Sequence, residues 1–262
     1  MRLIFIGDVV GEIGRKALYR ALARWQKEFA PDVVVVNGEN AAGGRGITLP
    51  LARAFFSRGV HVVTLGDHAW DQAELQRNID EEPRLLRPYN LQSGVPGHGS
   101  LLLPTPKGVV GILCLQGRTF MTTGPENPFT TGRAEAERLR NAGAQALLVD
   151  FHAESTSEKI AMGYHLDGIA SAVFGTHTHV QTADGRILPG GTAHMTDVGM
   201  CGSKNGVIGR DVDAVLRLFV KAMPSRLNIG GWPALVSGAL VDVDMTSGRA
   251  TRLEPLNLTL EK

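Results

Sequence analysis

Short apolar runs that each end at a glycine or a polar residue limit what this 262-residue chain can fold into. Residues 3–6, 33–36 and 62–65 are such runs, and the segments that follow them are Gly7-Asp8, Asn37-Gly38-Glu39-Asn40 and Gly66-Asp67-His68. Continuous apolar runs of this length are typical of strands that are buried on both faces. Between the first two runs, one face of a helix is indicated by the spacing of Leu18, Leu22, Trp25 and Phe29. The pattern predicts alternating strands and helices.

The rest of the chain continues this alternation. One helix is predicted over 50–58, with Thr48 as its cap, and others after Asp71 and over 133–142. A further helix is predicted to begin at Ser155, because Ser155 and Glu158 have the spacing of a capping box. Strands are predicted over 101–103 and 109–115 as a hairpin, and over 146–151, 170–174, 192–198, 234–243 and 250–260. A last helix is capped by Asp211, with an apolar face formed by Val212, Val215, Leu216 and Phe219. No linker interrupts these elements, so we expect residues 1–262 to form a single α/β domain with two sheet layers and helices outside.

Composition argues against several classes of function. The 27 Lys and Arg nearly balance the 26 Asp and Glu, and a net charge of +1 gives no general basic surface for nucleic acid. The two cysteines, Cys114 and Cys201, cannot form a disulfide framework, and no window approaches the roughly 18 apolar residues of a membrane span. We therefore expect a cytoplasmic protein with a small-molecule partner, no bulk nucleic-acid binding and no membrane segment.

Side chains that can bind a metal fall at or just after the ends of the predicted strands: Asp8, Glu39, Asn40, Asp67, His68, His152, His177 and His179. Loops at the carboxyl ends of strands converge on one crevice in α/β sheets, so we expect these side chains to face one place. Imidazoles combined with carboxylate and amide oxygens suit Mn, Fe or Zn. The set is larger than one ion needs and predicts a two-metal site for phosphate-ester hydrolysis. The other histidines are expected at the surface or paired in the core: His61, His98, His165 and His194.

The segments around these residues resemble the motifs of the calcineurin-like metallophosphoesterases: Gly7-Asp8, Gly38-Glu39-Asn40, Gly66-Asp67-His68, Phe151-His152-Ala153-Glu154 and Gly175-Thr176-His177-Thr178-His179. Within that family the chain is similar to the bacterial YmdB-like branch, whose second motif is Gly-Glu-Asn-Ala-Ala, as at residues 38–42. The resemblance extends from Met1 to about Gly209. It implies a two-layer mixed β-sandwich flanked by helices.

The same resemblance implies a role for each residue. One ion would be bound by Asp8, Glu39, Asn40 and His179, and the second by Glu39, Asp67, His152 and His177, so that Glu39 bridges the two. His68 would lie beside the metals without binding them, and would either protonate the leaving alkoxide or stabilise the charge on phosphorus. A metal-bridging hydroxide would be the nucleophile and 2′,3′-cyclic nucleotides the substrates. Iron or manganese is expected, zinc is also compatible, and a homo-oligomer is the expected assembly.

Two positions depart from the family pattern. Val10 stands where the commoner first motif Asp-x-His has histidine, for which the amide oxygen of Asn40 would compensate, and Asp67 stands where the motif Gly-Asn-His has asparagine. A third carboxylate beside Asp8 and Glu39 would favour a more highly charged ion and raise the pKa of bound water, unless Asp67 is protonated or turned away. For the substrate, Arg118 is the expected phosphate contact, ahead of Arg45 and Lys204. Trp70 or Tyr89 could stack on a base or serve in packing.

Two other functions are compatible with the sequence. A phosphomonoesterase or protein phosphatase would use the same metal ligands, and a catalytically weak metal-binding regulatory protein is favoured by the extra charge of Asp67. A Rossmann-type dinucleotide binder is disfavoured, because Gly43-Gly44-Arg45-Gly46 lacks the G-x-G-x-x-G spacing.

Overall fold

Two β-sheets lie face to face at the centre of the computed structural model, which describes residues 1–121 and 124–262. Within these residues the first sheet has eight strands, in the spatial order β2 (Asp8–Val9), β12 (Met200–Ser203), β13 (Ala234–Val243), β1 (Arg2–Ile6), β3 (Val33–Asn37), β4 (Val62–Thr64) and β5 (Leu85–Leu86), with β14 (Ala250–Leu260) paired to β13. The second has six, in the order β10 (Arg186–Ile187), β11 (Ala193–Met195), β9 (Ala172–Thr176), β8 (Ala146–His152), β7 (Gly108–Gln116) and β6 (Ser100–Thr105). Both sheets mix parallel and antiparallel pairs.

Helices cover the outer faces of the two sheets. They are α1 (Gly11–Phe29), α2 (Leu49–Phe56), α3 (Ala73–Asn78), α4 (Pro128–Asn141), α5 (Thr156–His165) and α6 (Val212–Lys221), with a 3₁₀ turn at Ile79–Glu81. Leu18 of α1 joins a buried cluster with Val34 of the first sheet, and Leu139 of α4 joins another with Leu147 of the second. The predicted two-layer mixed β-sandwich flanked by helices is confirmed. In the described part of the chain, no helix has the length and apolar character needed to cross a bilayer.

The continuous apolar runs of the sequence are explained by burial of both faces of the central strands. Along β1, Leu3 and Phe5 belong to the cluster between the sheets, whereas Ile4 and Ile6 belong to the cluster beneath the helices. Across the sandwich, the ring of Phe5 lies with its centroid 5.7 Å from that of Phe174. Strands β1, β3 and β4 are parallel in one sheet, and β8 and β9 are parallel in the other. Their carboxyl ends are where the motif residues begin.

Three local predictions differ from the structure. Thr48 and Ser155 occupy the N-cap positions of α2 and α5, but neither side chain caps its helix. Glu158 does not complete a capping box, because its carboxylate instead accepts hydrogen bonds from the backbone N–H groups of Arg118 and Thr119. The strand predicted over 192–198 covers only Ala193–Met195, and the following β12 was not predicted.

The apolar face predicted for α6 is mostly exposed. Asp211 caps the helix as expected, by accepting a hydrogen bond from the Ala214 N–H at 2.9 Å. Val215 is buried, but Leu216 is 51% exposed and Phe219 is 77% exposed. The predicted helix and its cap are therefore correct, and most of its apolar face lies at the surface.

Candidate metal centre

The carboxyl ends of strands from both sheets deliver the motif residues to one edge of the sandwich. Asp8 follows β1, Glu39 and Asn40 follow β3, and Asp67 follows β4. From the second sheet, His152 is the last residue of β8, and His177 and His179 follow β9. Asp8, Glu39 and His152 are buried. The edge is therefore a convergence point for residues that are far apart in the chain.

The side chains of Glu39, Asp67, His152 and His177 form a compact group. Each offers one nitrogen or oxygen atom, and these atoms all lie within 4.8 Å of one another. His152 Nε2 is 3.1 Å from Glu39 Oε1 and 3.1 Å from Asp67 Oδ1. This mixture of imidazole and carboxylate donors fits a transition-metal ion. The group has the same four members that the family resemblance assigns to the second ion.

A second group adjoins the first and shares Glu39 with it. The Asn40 amide nitrogen lies 3.0 Å from Glu39 Oε1 and 3.4 Å from His179 Nε2. Asp8 Oδ1 is 3.9 Å from His179 Nε2 and, although buried, has no hydrogen-bond partner. A buried carboxylate oxygen without a donor is costly unless a cation lies beside it. The orphaned oxygen of Asp8 therefore fits the residues expected around the first ion.

The carboxylates at this edge shift the pKa values of the buried groups around them. Burial raises the pKa of Asp8 above its usual range. For His152, burial alone would lower the pKa, but the charges of Glu39, Asp67 and Asp8 and hydrogen bonds to the first two raise it well above its usual value. A proton on His152 thus balances the carboxylates. Because metal ligands must be deprotonated, a bound cation would replace that proton.

Hydrogen bonds fix which nitrogen of His152 is available. The Thr176 hydroxyl donates to Asp150 Oδ1 at 2.7 Å, so it can only accept from His152 Nδ1, which lies 2.9 Å away. In the deprotonated form that a metal requires, His152 would therefore keep its proton on Nδ1 and direct the lone pair of Nε2 toward the centre. Burial raises the pKa of Asp150 to about 6. Thr176 and Asp150 were not identified from the sequence as site residues, although Thr176 lies within one motif segment and Asp150 directly precedes another.

The other two histidines are oriented in the same way. His177 Nε2 lies 3.1 Å from Glu154 Oε2, which leaves Nδ1 facing His152 and Asp67. His179 Nδ1 lies 3.1 Å from the carbonyl oxygen of Ile208, which leaves Nε2 facing Asn40. Each imidazole thus directs one nitrogen into the centre and the other to an orienting acceptor. Glu154 and Ile208 were also not identified from the sequence as site residues.

Close packing at the centre explains the glycine of the third motif. A Cβ atom at Gly66 would lie 2.2 Å from Glu39 Oε2 and 2.2 Å from His152 Cδ2. Such contacts are far shorter than van der Waals distance. Gly66 is required because the side chains of Glu39 and His152 lie directly against the backbone at this position.

His68 lies in an open cavity of about 320 Å³ beside the two groups. Its Nδ1 atom is 3.1 Å from Asp71 Oδ2, and its backbone N–H donates to Glu39 Oε2 at 3.4 Å. The cavity is also lined by Glu39, His177 and His179. His68 therefore lies beside the candidate metal ligands and is accessible to a ligand in the cavity.

Two arginines line the same cavity, but Arg118 is not among its lining residues in the described part of the chain. Arg45 is exposed, and Arg210 donates to the carbonyl oxygens of Gly44 and Leu227 at 2.6 and 3.1 Å. Arg118 is exposed, and its backbone is held by Glu158. The guanidinium groups available to the cavity therefore come from positions 45 and 210.

Comparison with known proteins identifies the family of the chain. The sequence profile described as YmdB-like protein matches residues 4–256, nearly the whole chain. The chain belongs to the YmdB-like family. A relative from Bacillus subtilis strain 168, named 2′,3′-cyclic-nucleotide 2′-phosphodiesterase, is 40% identical over 257 residues, which cover 97% of this chain and 96% of the relative.

Two solved structures match this YmdB-like protein along its full length. A crystal structure from Mycoplasma pneumoniae, titled a novel phosphatase, has a TM-score of 0.93 and 32% identity, and the match covers 100% of this chain and 94% of that one. A hypothetical protein from Thermus thermophilus has a TM-score of 0.91 and 37% identity, with 100% of both chains covered. The metallophosphoesterase fold and family expected from the sequence are confirmed.

Proposed function

We propose that this YmdB-like protein hydrolyses 2′,3′-cyclic nucleotides with two metal ions bound between its sheets. The observation that carries the proposal is that Glu39 lies between the two sets of side chains. Its Oε1 atom is 3.1 Å from His152 Nε2 and accepts a hydrogen bond at 3.0 Å from the amide of Asn40, whose oxygen could bind an ion. A shared carboxylate is the usual bridge in two-metal phosphoesterase sites. The name of the Bacillus subtilis relative supports the choice of substrate.

Asp8, Glu39, Asn40 and His179 would hold one ion, and Glu39, Asp67, His152 and His177 the other. When bound, the ions would supply Lewis acidity to the phosphate and the bridging hydroxide that serves as nucleophile. The protein contributes the orientation of the ligands through Thr176, Glu154 and the Ile208 carbonyl. Iron or manganese is the proposed metal, with zinc also compatible, because the donors are nitrogen and oxygen and the cavity offers no thiolate within the described residues.

His68 is the proposed proton donor. Hydrolysis of a 2′,3′-cyclic phosphate adds water to phosphorus and breaks one P–O bond, and the ribose oxygen that leaves must take up a proton. With Nδ1 paired to Asp71 at 3.1 Å, Nε2 of His68 is free to supply it.

The phosphate oxygens that the ions leave uncovered would pair with a guanidinium group. Arg45 and Arg210 are favoured because both line the cavity, whereas the earlier expectation of Arg118 remains a prediction. Arg45→Gln and Arg118→Gln should be compared by their KM values for 2′,3′-cyclic AMP. A rise in KM in the Arg45 variant alone would support the cavity assignment, and a rise in the Arg118 variant alone would restore the expectation from sequence.

Metal analysis together with a substrate panel tests the proposal. Purified protein should contain about two transition-metal ions per chain and should hydrolyse 2′,3′-cyclic AMP faster than 3′,5′-cyclic AMP or a phosphomonoester. Preference for the monoester would favour a phosphomonoesterase or protein phosphatase. Two bound ions without turnover of any phosphate ester would favour a metal-binding regulatory protein. Protein that retains activity after complete removal of metal would contradict all three.

The cytoplasmic location and the homo-oligomer remain predictions. Cell fractionation measures the first, and sedimentation equilibrium of the purified chain measures the second.

A further inference from the structure

A buried ion pair lies directly behind the loop that carries His177 and His179. Lys159 of α5 is 1% exposed and Asp197, between β11 and β12, is 0% exposed. Lys159 Nζ lies 2.8 Å from Asp197 Oδ2 and donates to the Thr178 hydroxyl oxygen at 2.9 Å. Thr178 is the residue between the two histidines. The pair therefore contacts the loop at its centre without entering the cavity.

Asp197 binds the backbone of the loop as well as its side chain. Its Oδ2 atom accepts from the Thr178 N–H at 3.1 Å and from the Thr178 hydroxyl at 2.6 Å, while Oδ1 accepts from the Gly199 N–H at 2.7 Å. The preceding N–H, that of His177, donates to Asp8 Oδ2 at 3.1 Å. Successive N–H groups of the loop are thus bound by Asp8 on the metal side and by Asp197 on the opposite side.

The loop backbone needs this support because its conformation is unfavourable. His177 has φ = 92° and His179 has φ = 65°, in the region that residues with a Cβ atom rarely adopt. Such a conformation persists only where surrounding contacts determine it. Gly175 provides the space, since a Cβ atom there would lie 2.9 Å from Lys159 Cδ and 1.8 Å from the Thr196 carbonyl oxygen. The loop, the glycine and the ion pair form one packed unit.

We propose that Lys159 and Asp197 are positioning residues, which set the distance between the two metal ions by fixing His177 and His179 on either side of Thr178. A buried ion pair adds little stability compared with apolar side chains of similar volume, so stability alone does not explain why it is used here. Lys159 also cancels the charge of Asp197, so that the pair adds no net charge behind Asp8. This inference rests on the proposed two-metal site.

Manganese binding to the purified full-length chain tests the proposal without measuring activity. Lys159→Met keeps the length of the side chain and removes its charge. It should weaken Mn²⁺ binding by about 10- to 100-fold, the effect typical of residues that orient metal ligands. It should also abolish the spin-coupled signal of a manganese pair in electron paramagnetic resonance, because the ligands of the two ions lose their fixed separation.

Thr178 provides a gentler test if the Lys159 variant does not fold. Thr178→Val removes the hydroxyl that both charged residues contact and keeps the shape, whereas Thr178→Ser keeps the hydroxyl. The valine variant should lose affinity and spin coupling, and the serine variant should retain both. Glu135→Gln is the matched control, because Glu135 is a buried carboxylate paired to Arg138 at 2.7 Å in α4. It should leave Mn²⁺ binding unchanged.

Unchanged Mn²⁺ affinity and an unchanged spectrum in folded Lys159→Met and Thr178→Val would overturn the proposal. This failure is distinct from failure of the proposed function, which would appear as wild-type protein that binds two Mn²⁺ ions and hydrolyses no cyclic nucleotide.

Discussion

Asp67 Oδ1 lies 3.1 Å from His152 Nε2, although 85 residues separate the two in the chain. The same oxygen is 3.4 Å from His177 Nδ1. Burial would raise the pKa of Asp67, but the hydrogen bonds and charges of the two histidines hold it well below its usual range. The Asp67 side chain is therefore not turned away from the centre, and the two histidines favour its ionised form.

Replacing Asp67 with asparagine should keep metal binding and change the pH dependence of activity. Asp67→Asn removes one negative charge from the centre, which lowers the pKa of water held by the ions. The acidic limb of the pH–rate profile should therefore move to lower pH, while metal content stays at the wild-type value. Profiles of kcat/KM between pH 5 and 9 measure the shift. A profile identical to that of the wild type at equal metal content would contradict the charge argument.

Loss of the shared carboxylate should uncouple the two ions. Glu39→Gln keeps the size of the side chain but removes the charge that both ligand groups use, so activity should fall to that of the metal-free protein. Elemental analysis and the phosphodiesterase assay measure the two effects. Glu12→Gln, on the exposed face of α1, is the control. An active Glu39→Gln variant without metal would exclude a two-metal mechanism.

His68 should affect proton transfer rather than metal content. His68→Asn should reduce kcat by about 100- to 10,000-fold, the range for loss of a general acid, because an amide cannot supply the proton. Asp71→Asn should cause a smaller loss, since His68 remains. His98→Asn, at an exposed position, should have no effect. A substrate whose leaving group needs no proton separates the two explanations. If His68→Asn hydrolyses this substrate as fast as the wild type does, the assignment is supported. If the variant loses as much activity with this substrate as with the cyclic nucleotide, the assignment is refuted.

His61 should make folding stability depend on pH, away from the metal centre. The Val34 N–H donates to His61 Nδ1 at 3.1 Å, and burial lowers the pKa of His61 below its ordinary value of 6.5. The folded chain therefore binds this proton less readily than the unfolded chain. The stability that His61 contributes is present above about pH 6.5 and is lost as the pH falls below that value.

Urea unfolding of the wild type and of His61→Asn at pH 5 and pH 7 measures this contribution. Asparagine can accept the same hydrogen bond without titrating, so the free energy of unfolding of the wild type should fall more between pH 7 and pH 5 than that of the variant. The metal centre is the same in both proteins, so its pH dependence cancels when the free energy of unfolding of one is subtracted from that of the other. Identical pH dependence in both would exclude His61 as the cause.

The residues at the metal centre were accessible to sequence analysis because each follows an apolar strand whose end is visible in the chain. Their orienting partners were less accessible, since Thr176 and Asp150 are 26 residues apart and meet only across neighbouring strands. Glu158 shows the limit of local spacing. Three residues after Ser155 it has the position of a capping residue, yet tertiary structure places two backbone N–H groups of another loop within its reach.

Helix α6 and strand β12 were predicted less well, because local sequence does not show what packs against an element. The spacing of apolar residues in α6 was visible in the sequence, but such spacing does not reveal whether another element packs on the apolar face. Phe219, on that face, is 77% exposed. Strand β12 is four residues long and contains a glycine, so it lacks the continuous apolar run that marked the central strands. A strand that is buried on both faces has a continuous apolar sequence and is easily recognised, whereas a short strand without such a run is not.

The centre draws its carboxylates from one sheet and its histidines from the other. Neither sheet alone supplies both kinds of ligand, and the first sheet is complete only when β13, near the end of the chain, pairs with β1 at the beginning. The complete set of candidate ligands is therefore assembled only after distant parts of the chain have met. An ion bound by both kinds of ligand would hold the two sheets together.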